Sequence, residues 1–322
     1  MSLLEVKNLT KYFDMSGGFL SRLVARSKIL KAVDAISFAV EEGKTFGLVG
    51  ESGCGKSTTA RLITRLIPAT GGEVNFDGRE ILRLPKREVR ELRKHVQMIF
   101  QDPYASLNPR TRVVDIVGRP VTIFHGLKGQ KMVNRVVELL ELVGLPPEHL
   151  YRFPHEFSGG QRQRIGIARA LATSPRLIIA DEPVSSLDVS VQAQVLNLLR
   201  QLQRELKLTL IFISHDLNVV GYLADTVAVM YAGKIMEVAS VQNIFKTPLN
   251  PYTQALLASN PTVGAFADDI RSPLEGEVFF PVNPPPGCRF EPRCPIRVAK
   301  CKSIEPPLEN KRPSHLAACH EV

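Results

Sequence analysis

The sequence predicts an α/β protein: a mostly parallel sheet flanked by helices, followed by a small C-terminal domain rich in proline and cysteine. Three observations predict it. Short, almost wholly apolar β-rich runs alternate with helical patterns from residue 1 to about 260. A glycine-rich stretch sits where one such run passes into a helix. Beyond about 260 the periodicity stops, and ten of the 23 prolines fall between 273 and 313, which excludes long helices there.

The strand-like runs are SFAV (37–40), TFGLV (45–49), VQMIF (96–100), LIIAD (177–181), TLIFIS (209–214) and TVAVMY (226–231). Runs this apolar fit strands covered on both faces. GGEVNFDGREI (71–81) differs: its alternation around Asp77-Gly78 predicts a hairpin. A helix is predicted over 191–206, where Val191, Val195, Leu198, Leu202 and Leu206 share a face and Ser190 supplies the N-cap. Another is predicted over 130–143, closed by Gly144. The basic segment 14–31 interrupts the first strands and reads as a solvated loop, with a surface for a membrane-embedded partner as the sharper alternative.

Composition bounds the answer. The chain has 322 residues, 44% hydrophobic and 23% charged, which fits a soluble globular protein with a sizeable core. No run of about 18 apolar residues occurs, so no membrane-spanning helix is expected. The opening MSLLEVKNLTKYFD carries charges where a signal peptide needs an apolar centre, so a cytoplasmic location is expected and structural disulfides are disfavoured. A net charge of +9 suits a polyanionic ligand, nucleic acid or an anionic membrane face without choosing among them.

GESGCGKST (50–58) follows TFGLV and precedes a helical pattern. It reads Gly50, Glu51, Ser52, Gly53, Cys54, Gly55, Lys56, Ser57, Thr58, matching G-x-x-x-x-G-K-[ST]. Its glycines let backbone N–H groups turn toward a phosphate, Lys56 supplies a mobile cation, and Ser57 offers a hydroxyl to Mg²⁺. The Cys54 side chain is not required by that chemistry. LIIADEP (177–183) ends an apolar strand in two carboxylates. Asp181 is placed to hold Mg²⁺ through its water shell, and Glu182 to act as general base on an attacking water. His215 ends TLIFISH and is expected on the same sheet edge, near the γ-phosphate. In FSGGQRQR (157–164), Ser158 N-caps a strongly helical run and makes a second anion-binding helix N-terminus. One nucleotide needs one cradle, so a second raises a site shared between two subunits.

These motifs, in this order, with Gln101 in IFQDP and SSLD at 185–188, resemble the nucleotide-binding subunits of the ATP-binding cassette (ABC) family. The resemblance covers residues 1 to about 260. One departure is Phe157, where the family signature more often has Leu. The resemblance implies a P-loop NTPase fold with an antiparallel β subdomain and a helical subdomain at about 102–165. It implies a head-to-tail dimer in which 50–58, Asp181, Glu182 and His215 of one subunit face Ser158, Gly159, Gly160 and Gln161 of the other. Gln101 would sense the γ-phosphate and Mg²⁺, Asp188 would cross the interface, and Phe13, or failing it Tyr12, would stack on adenine.

The tail narrows the resemblance. NPYTQALLAS (250–259) and PVNPPPGCRFEPRCP (281–295) are similar to the C-terminal region of ATPase subunits from oligopeptide, dipeptide and nickel importers. SLNPR (106–110) and the 14–31 insertion look like the second of their two non-identical ATPases. Cys288, Cys294, Cys301 and Cys319 sit in a segment with little core. From spacing, zinc and an iron–sulfur cluster are equally open, with His315 or His320 able to replace a zinc ligand and unliganded thiols the lesser option. The importers that this tail resembles are associated with a 4Fe–4S cluster, which tips the expectation that way.

The expectation is therefore an ATPase with ATP and Mg²⁺, residues 1–260 as its nucleotide-binding domain and 261–322 as a Cys-rich domain. It would power peptide import from the inner face of the cell membrane. Its partners would be a second ATPase subunit, two permease subunits and, indirectly, a substrate-binding protein, with no nucleic acid. The rival from another class is a soluble cassette ATPase acting on nucleic acid or ribosomes. Cargo stays open among dipeptides, oligopeptides, nickel chelates and oligosaccharides.

Overall fold

The computed structural model describes residues 2–16, 28–259 and 281–322. They fall into two compact units, one formed by 1–41, 45–82 and 214–322, the other by 42–44 and 83–213. The expected domain boundary near 260 lies outside the described residues.

The first unit opens with β1 (Ser2–Asp14) and β2 (Ile29–Glu41), two long antiparallel strands. Both reach into 14–31, so the ends of the expected loop are strand; its centre, 17–27, lies outside the described residues. β3 (Thr45–Val49) is buried at every position and runs into α1 (Lys56–Ile63). β4 (Gly71–Phe76) and β5 (Arg79–Glu80) form the expected hairpin, with Asp77 and Gly78 both at positive φ in its turn. The order β2-β1-β4-β5 makes a four-stranded antiparallel sheet.

The second unit contains α2 (Lys86–His95), β6 (Val96–Ile99), α3 (Pro103–Ser106), α4 (Val113–His125), α5 (Gly129–Leu142) and α6 (Gly159–Leu171). β7 (Leu177–Asp181), α7 (Val189–Leu206) and β8 (Thr209–Ser214) complete it. β6, β7 and β8 pair in parallel, and β7 and β8 are buried throughout. This is the signature of strands covered on both faces. α5 ends as its sequence predicts, with Gly144 at φ 70 and its N–H donating to the Glu141 carbonyl. α7 starts earlier than expected. Its N-cap is Asp188, whose carboxylate accepts from the Val191 N–H at 3.0 Å and from the Ser190 hydroxyl at 2.8 Å. Ser190 supports the cap instead of being it, because the helix begins at Val189 and places Asp188 in the N-cap position, where its carboxylate also meets the helix dipole.

The chain then returns to the first unit with α8 (Leu217–Leu223), β9 (Thr226–Tyr231), β10 (Lys234–Ser240), α9 (Val241–Lys246) and α10 (Pro251–Ala258). β9 lies parallel to β3 and antiparallel to β10. The tail adds two short strands, β11 (Glu309–Arg312) and β12 (His315–Ala317), and β12 pairs antiparallel with β10. The Pro- and Cys-rich segment is thus held by sheet pairing as well as by side chains. Glu237 of β10 is fully buried and accepts from the Leu249 and Asn250 N–H groups at 2.7 and 3.0 Å and bonds the His315 ring at 2.6 Å. A carboxylate is tolerated there because its lone pairs are filled.

Candidate functional site

In the first unit, the buried strand β3 delivers the 50–58 loop to the N-terminus of α1. Gly55 caps that helix at φ 111, and a Cβ there would stand 2.2 Å from the Ala32 carbonyl oxygen, so no other residue fits. Lys56 is buried, and its ammonium curls onto the loop, donating to the Gly50 and Glu51 carbonyls at 2.8 and 3.0 Å. Cys54 is also buried, its thiol pushed up by burial, so it packs beneath the loop and contributes only backbone to the outer surface. Ser52 and Gly53 are exposed, and Ser57 and Thr58 half-buried.

Two aromatics precede the loop on β1. Phe13 is 37% exposed with the Lys11 ammonium 4.9 Å from its ring. The Tyr12 hydroxyl instead donates to Asp34, and burial followed by that bond pushes its pKa up to about 12. Phe13 is therefore the available ring of the two. His215 is exposed, immediately after β8.

In the second unit, Asp181 ends β7 and is buried, and Glu182 follows it in a left-handed conformation, φ 46. A non-glycine residue adopts that region at a cost of roughly 1–2 kcal/mol. The Gln101 side-chain amide donates to the Glu182 carboxylate at 3.0 Å, so the structure brings these two predicted residues together. Ser158 caps α6 by accepting from the Gln161 N–H at 3.3 Å, while the Gln161 side chain accepts from the Ser158 N–H at 3.0 Å. Gly160 has a packing reason as well: a Cβ there would meet Val191 of α7 at 2.3 Å. Phe157 is buried with its ring edge-on to His149 at 5.0 Å, so the larger side chain is accommodated by packing.

Cys288, Cys294, Cys301 and Cys319 line one narrow cavity of the first unit, with Glu291, His320 and Phe290 among its neighbours. None is in a disulfide. Burial, and then the other three thiols, push the Cys288 thiol up to about 11. Four thiols are the donor type a metal–sulfur group takes. Among the described residues, however, no three His, Cys, Asp or Glu side chains are grouped to hold one metal ion, which gives neither the expected 4Fe–4S cluster nor the zinc alternative support. His315 is not a spare ligand, since it is buried on Glu237; His320 reaches the Ile304 carbonyl at 2.9 Å.

Sequence reasoning missed the residues that tie the tail to the loop. Arg293 forms a two-pronged pair with the Glu51 carboxylate, at 2.9 and 3.1 Å. The Tyr252 hydroxyl accepts from the Glu51 N–H at 3.0 Å. Arg289, 4% exposed, is bonded to Asp34 and to the Ala232 carbonyl. The only available signal was the alternation of arginine with cysteine in CRFEPRC (288–294).

Two family models match the chain. Residues 33–185 match the ABC transporter family, and residues 236–301 match the oligopeptide/dipeptide transporter C-terminal region. The chain is 49% identical over 323 residues to the oligopeptide transport ATP-binding protein AppF of Bacillus subtilis (strain 168), covering 99% of this chain and 97% of that one. It is 50% identical over 319 residues to the probable peptide ABC transporter ATP-binding protein y4tS of Sinorhizobium fredii, covering 99% and 90%. Its structure matches a dimeric post-hydrolysis state of the ATP-binding cassette MJ0796 bound to ADP and Pi, with a TM-score of 0.65 and 28% identity, over 74% of this chain and 98% of that one.

Proposed function

Because the chain belongs to the ABC transporter family, among the ATP-binding proteins of oligopeptide and dipeptide transport, we propose that it hydrolyses ATP within a nucleotide sandwich completed by a second ATPase subunit. It is a P-loop ATPase that powers peptide import, and it works with membrane permeases. No helix among the described residues is long and apolar enough to cross a membrane; attachment to the membrane is assigned to those partners. The rival reading on nucleic acid or ribosomes finds no support among these relatives.

The observation that carries the reading is Lys56 on the carbonyls of its own loop. An ammonium held this way is desolvated and preplaced, and arriving phosphate oxygens replace the carbonyls as its partners. Ser57 and Asp181, with Gln101, would hold Mg²⁺, whose charge offsets that of the phosphate oxygens. Glu182 orients and deprotonates the attacking water, and the Gln101 amide steadies its carboxylate. His215 contacts the γ-phosphate, and Phe13 stacks on adenine. Ser158, Gly159, Gly160 and Gln161 meet the γ-phosphate of the nucleotide held by the partner ATPase, and Asp188 crosses that interface. Closure on ATP and reopening after hydrolysis pass through the helices of 102–165 to the permeases, which together with a binding protein complete the importer.

The nucleotide-binding domain is assigned to 1–260 and a Cys-rich domain to 261–322. A 4Fe–4S cluster held by Cys288, Cys294, Cys301 and Cys319 is proposed from the resemblance of the tail alone: the four thiols line one cavity but, among the described residues, are not grouped to hold a metal ion. Bound, it would cross-link a segment otherwise poor in core. ATP-dependent uptake of a labelled peptide into proteoliposomes holding the permeases tests the transport reading. Uptake that proceeds equally without this chain would end it.

A further inference from the structure

Glu51, the second residue of the phosphate loop, is held at three points. Its carbonyl accepts from Lys56 at 3.0 Å. Its N–H and its carboxylate are held from far along the chain, by Tyr252 and by Arg293. The Arg293–Glu51 pair is mostly shielded, with side chains 8% and 17% exposed, and the arginine's proton affinity is raised, first by the Glu51 bond. The two anchors form one body. Tyr231, Tyr252 and Phe290 pack as a triangle of rings with centroids 4.6, 5.4 and 5.3 Å apart, and Arg293 also reaches the Tyr231 hydroxyl at 3.4 Å. Phe290 and Arg293 lie between Cys288 and Cys294, and the Cys288 N–H donates to the Cys301 carbonyl at 2.8 Å. The segment that lines the cysteine cavity is therefore the segment that grips the loop.

We propose that Arg293 is a positioning residue for ATP binding: it fixes Glu51, and through it the phosphate loop, so that nucleotide affinity depends on how the 288–294 segment is held. A bidentate guanidinium sets both the position and the plane of the Glu51 carboxylate, which a point charge does not. With the Glu51 N–H and carboxylate both fixed, the loop N–H groups that follow are pre-arranged for phosphate, and that ordering cost is removed from binding. The inference rests on the reading of 50–58 as the ATP loop. Arg293 touches no reacting atom, so it acts on affinity and leaves the chemical step alone.

The test is titration of the full-length chain with a fluorescent ATP analogue, beside steady-state ATPase kinetics and thermal melting. Arg293→Ala is expected to raise the Kd and the KM for ATP by roughly tenfold with kcat changed by less than about threefold. Glu51→Gln shifts the Kd similarly, and the double variant is no worse than either single one. Arg293→Lys, which keeps the charge but loses the fork, falls between. Should Arg293→Ala not fold, Arg293→Lys and Glu51→Gln carry the test by the same Kd shift. If the variants bind the analogue as the wild type does, with only the melting temperature lowered, Arg293 merely pins the tail and the proposal fails. If the wild type itself binds no nucleotide, it is the assignment of the ATP loop that fails.

Discussion

Gln101 and Glu182, separated by 81 positions, are joined by a 3.0 Å hydrogen bond from amide to carboxylate. In the proposed reaction the amide orients the carboxylate that acts on the attacking water. Glu182→Gln is therefore expected to bind ATP normally while turnover falls by at least about 100-fold. Gln101→Ala should lose less, because it removes an orienting group. Comparing nucleotide binding with phosphate release checks both, and a Glu182→Gln variant that turns over normally removes Glu182 as the base.

Ser158 and Gln161 satisfy each other in a capping box at the start of α6. In the proposed sandwich they act on the nucleotide held by another subunit. ATPase activity is then expected to rise more than linearly with protein concentration, or to need the second ATPase. Where two copies of this chain pair, mixing Ser158→Arg protein with Glu182→Gln protein should give at least partial recovery, since each supplies what the other lacks. Activity strictly linear in dilute monomer excludes the shared site.

Asp34 gathers Tyr12, Arg289, Lys31 and Lys234 around one buried carboxylate. Burial alone would raise its pKa, but the Tyr12 hydroxyl and the cations of Lys234, Arg289 and Lys31 outweigh it and hold the group below the usual carboxylate range. Its stabilisation is present above the unfolded carboxylate pKa and is lost as pH falls through the lowered folded value. Tyr12, pushed up to about 12, works the other way: its share is present below the ordinary tyrosine value and is lost as pH rises through about 12. Arg289→Ala should cost about 1.5–3 kcal/mol in denaturant unfolding, because it removes a buried charge-assisted bond while Tyr12, Lys31 and Lys234 still face Asp34. Tyr12→Phe should cost about 1 kcal/mol and remove one late-titrating group from the tyrosinate absorbance curve.

Protein purified without oxygen is expected to carry iron and acid-labile sulfide, and Cys288→Ser or Cys301→Ser to lose both. Stoichiometric zinc without sulfide, or no metal at all, rejects the cluster.

What the sequence displayed was what chemistry fixes at short range. The loop 50–58, the Asp181-Glu182 ending of β7 and the Ser158 cap each need set residue types at set spacings, and each stands where it was expected. The strands β3, β7 and β8 were legible because continuous burial demands continuous apolarity. β1 was not, since register shifts break its alternation, and β10 was hidden by the charge of Glu237 in its middle. β11, written ENKR, has no apolar pattern and is a strand because β12 offers it an edge. The Arg293–Glu51 pair spans 242 positions, and one sequence records neither its partners nor its purpose.

The hairpin of β11 and β12 is also a cover. Without it, β10 would present an unpaired row of amide and carbonyl groups, and Glu237 would lose the His315 ring that helps fill its lone pairs. A chain cut before Glu309 should therefore gather into oligomers by edge-to-edge pairing. The β11–β12 hairpin closes that edge.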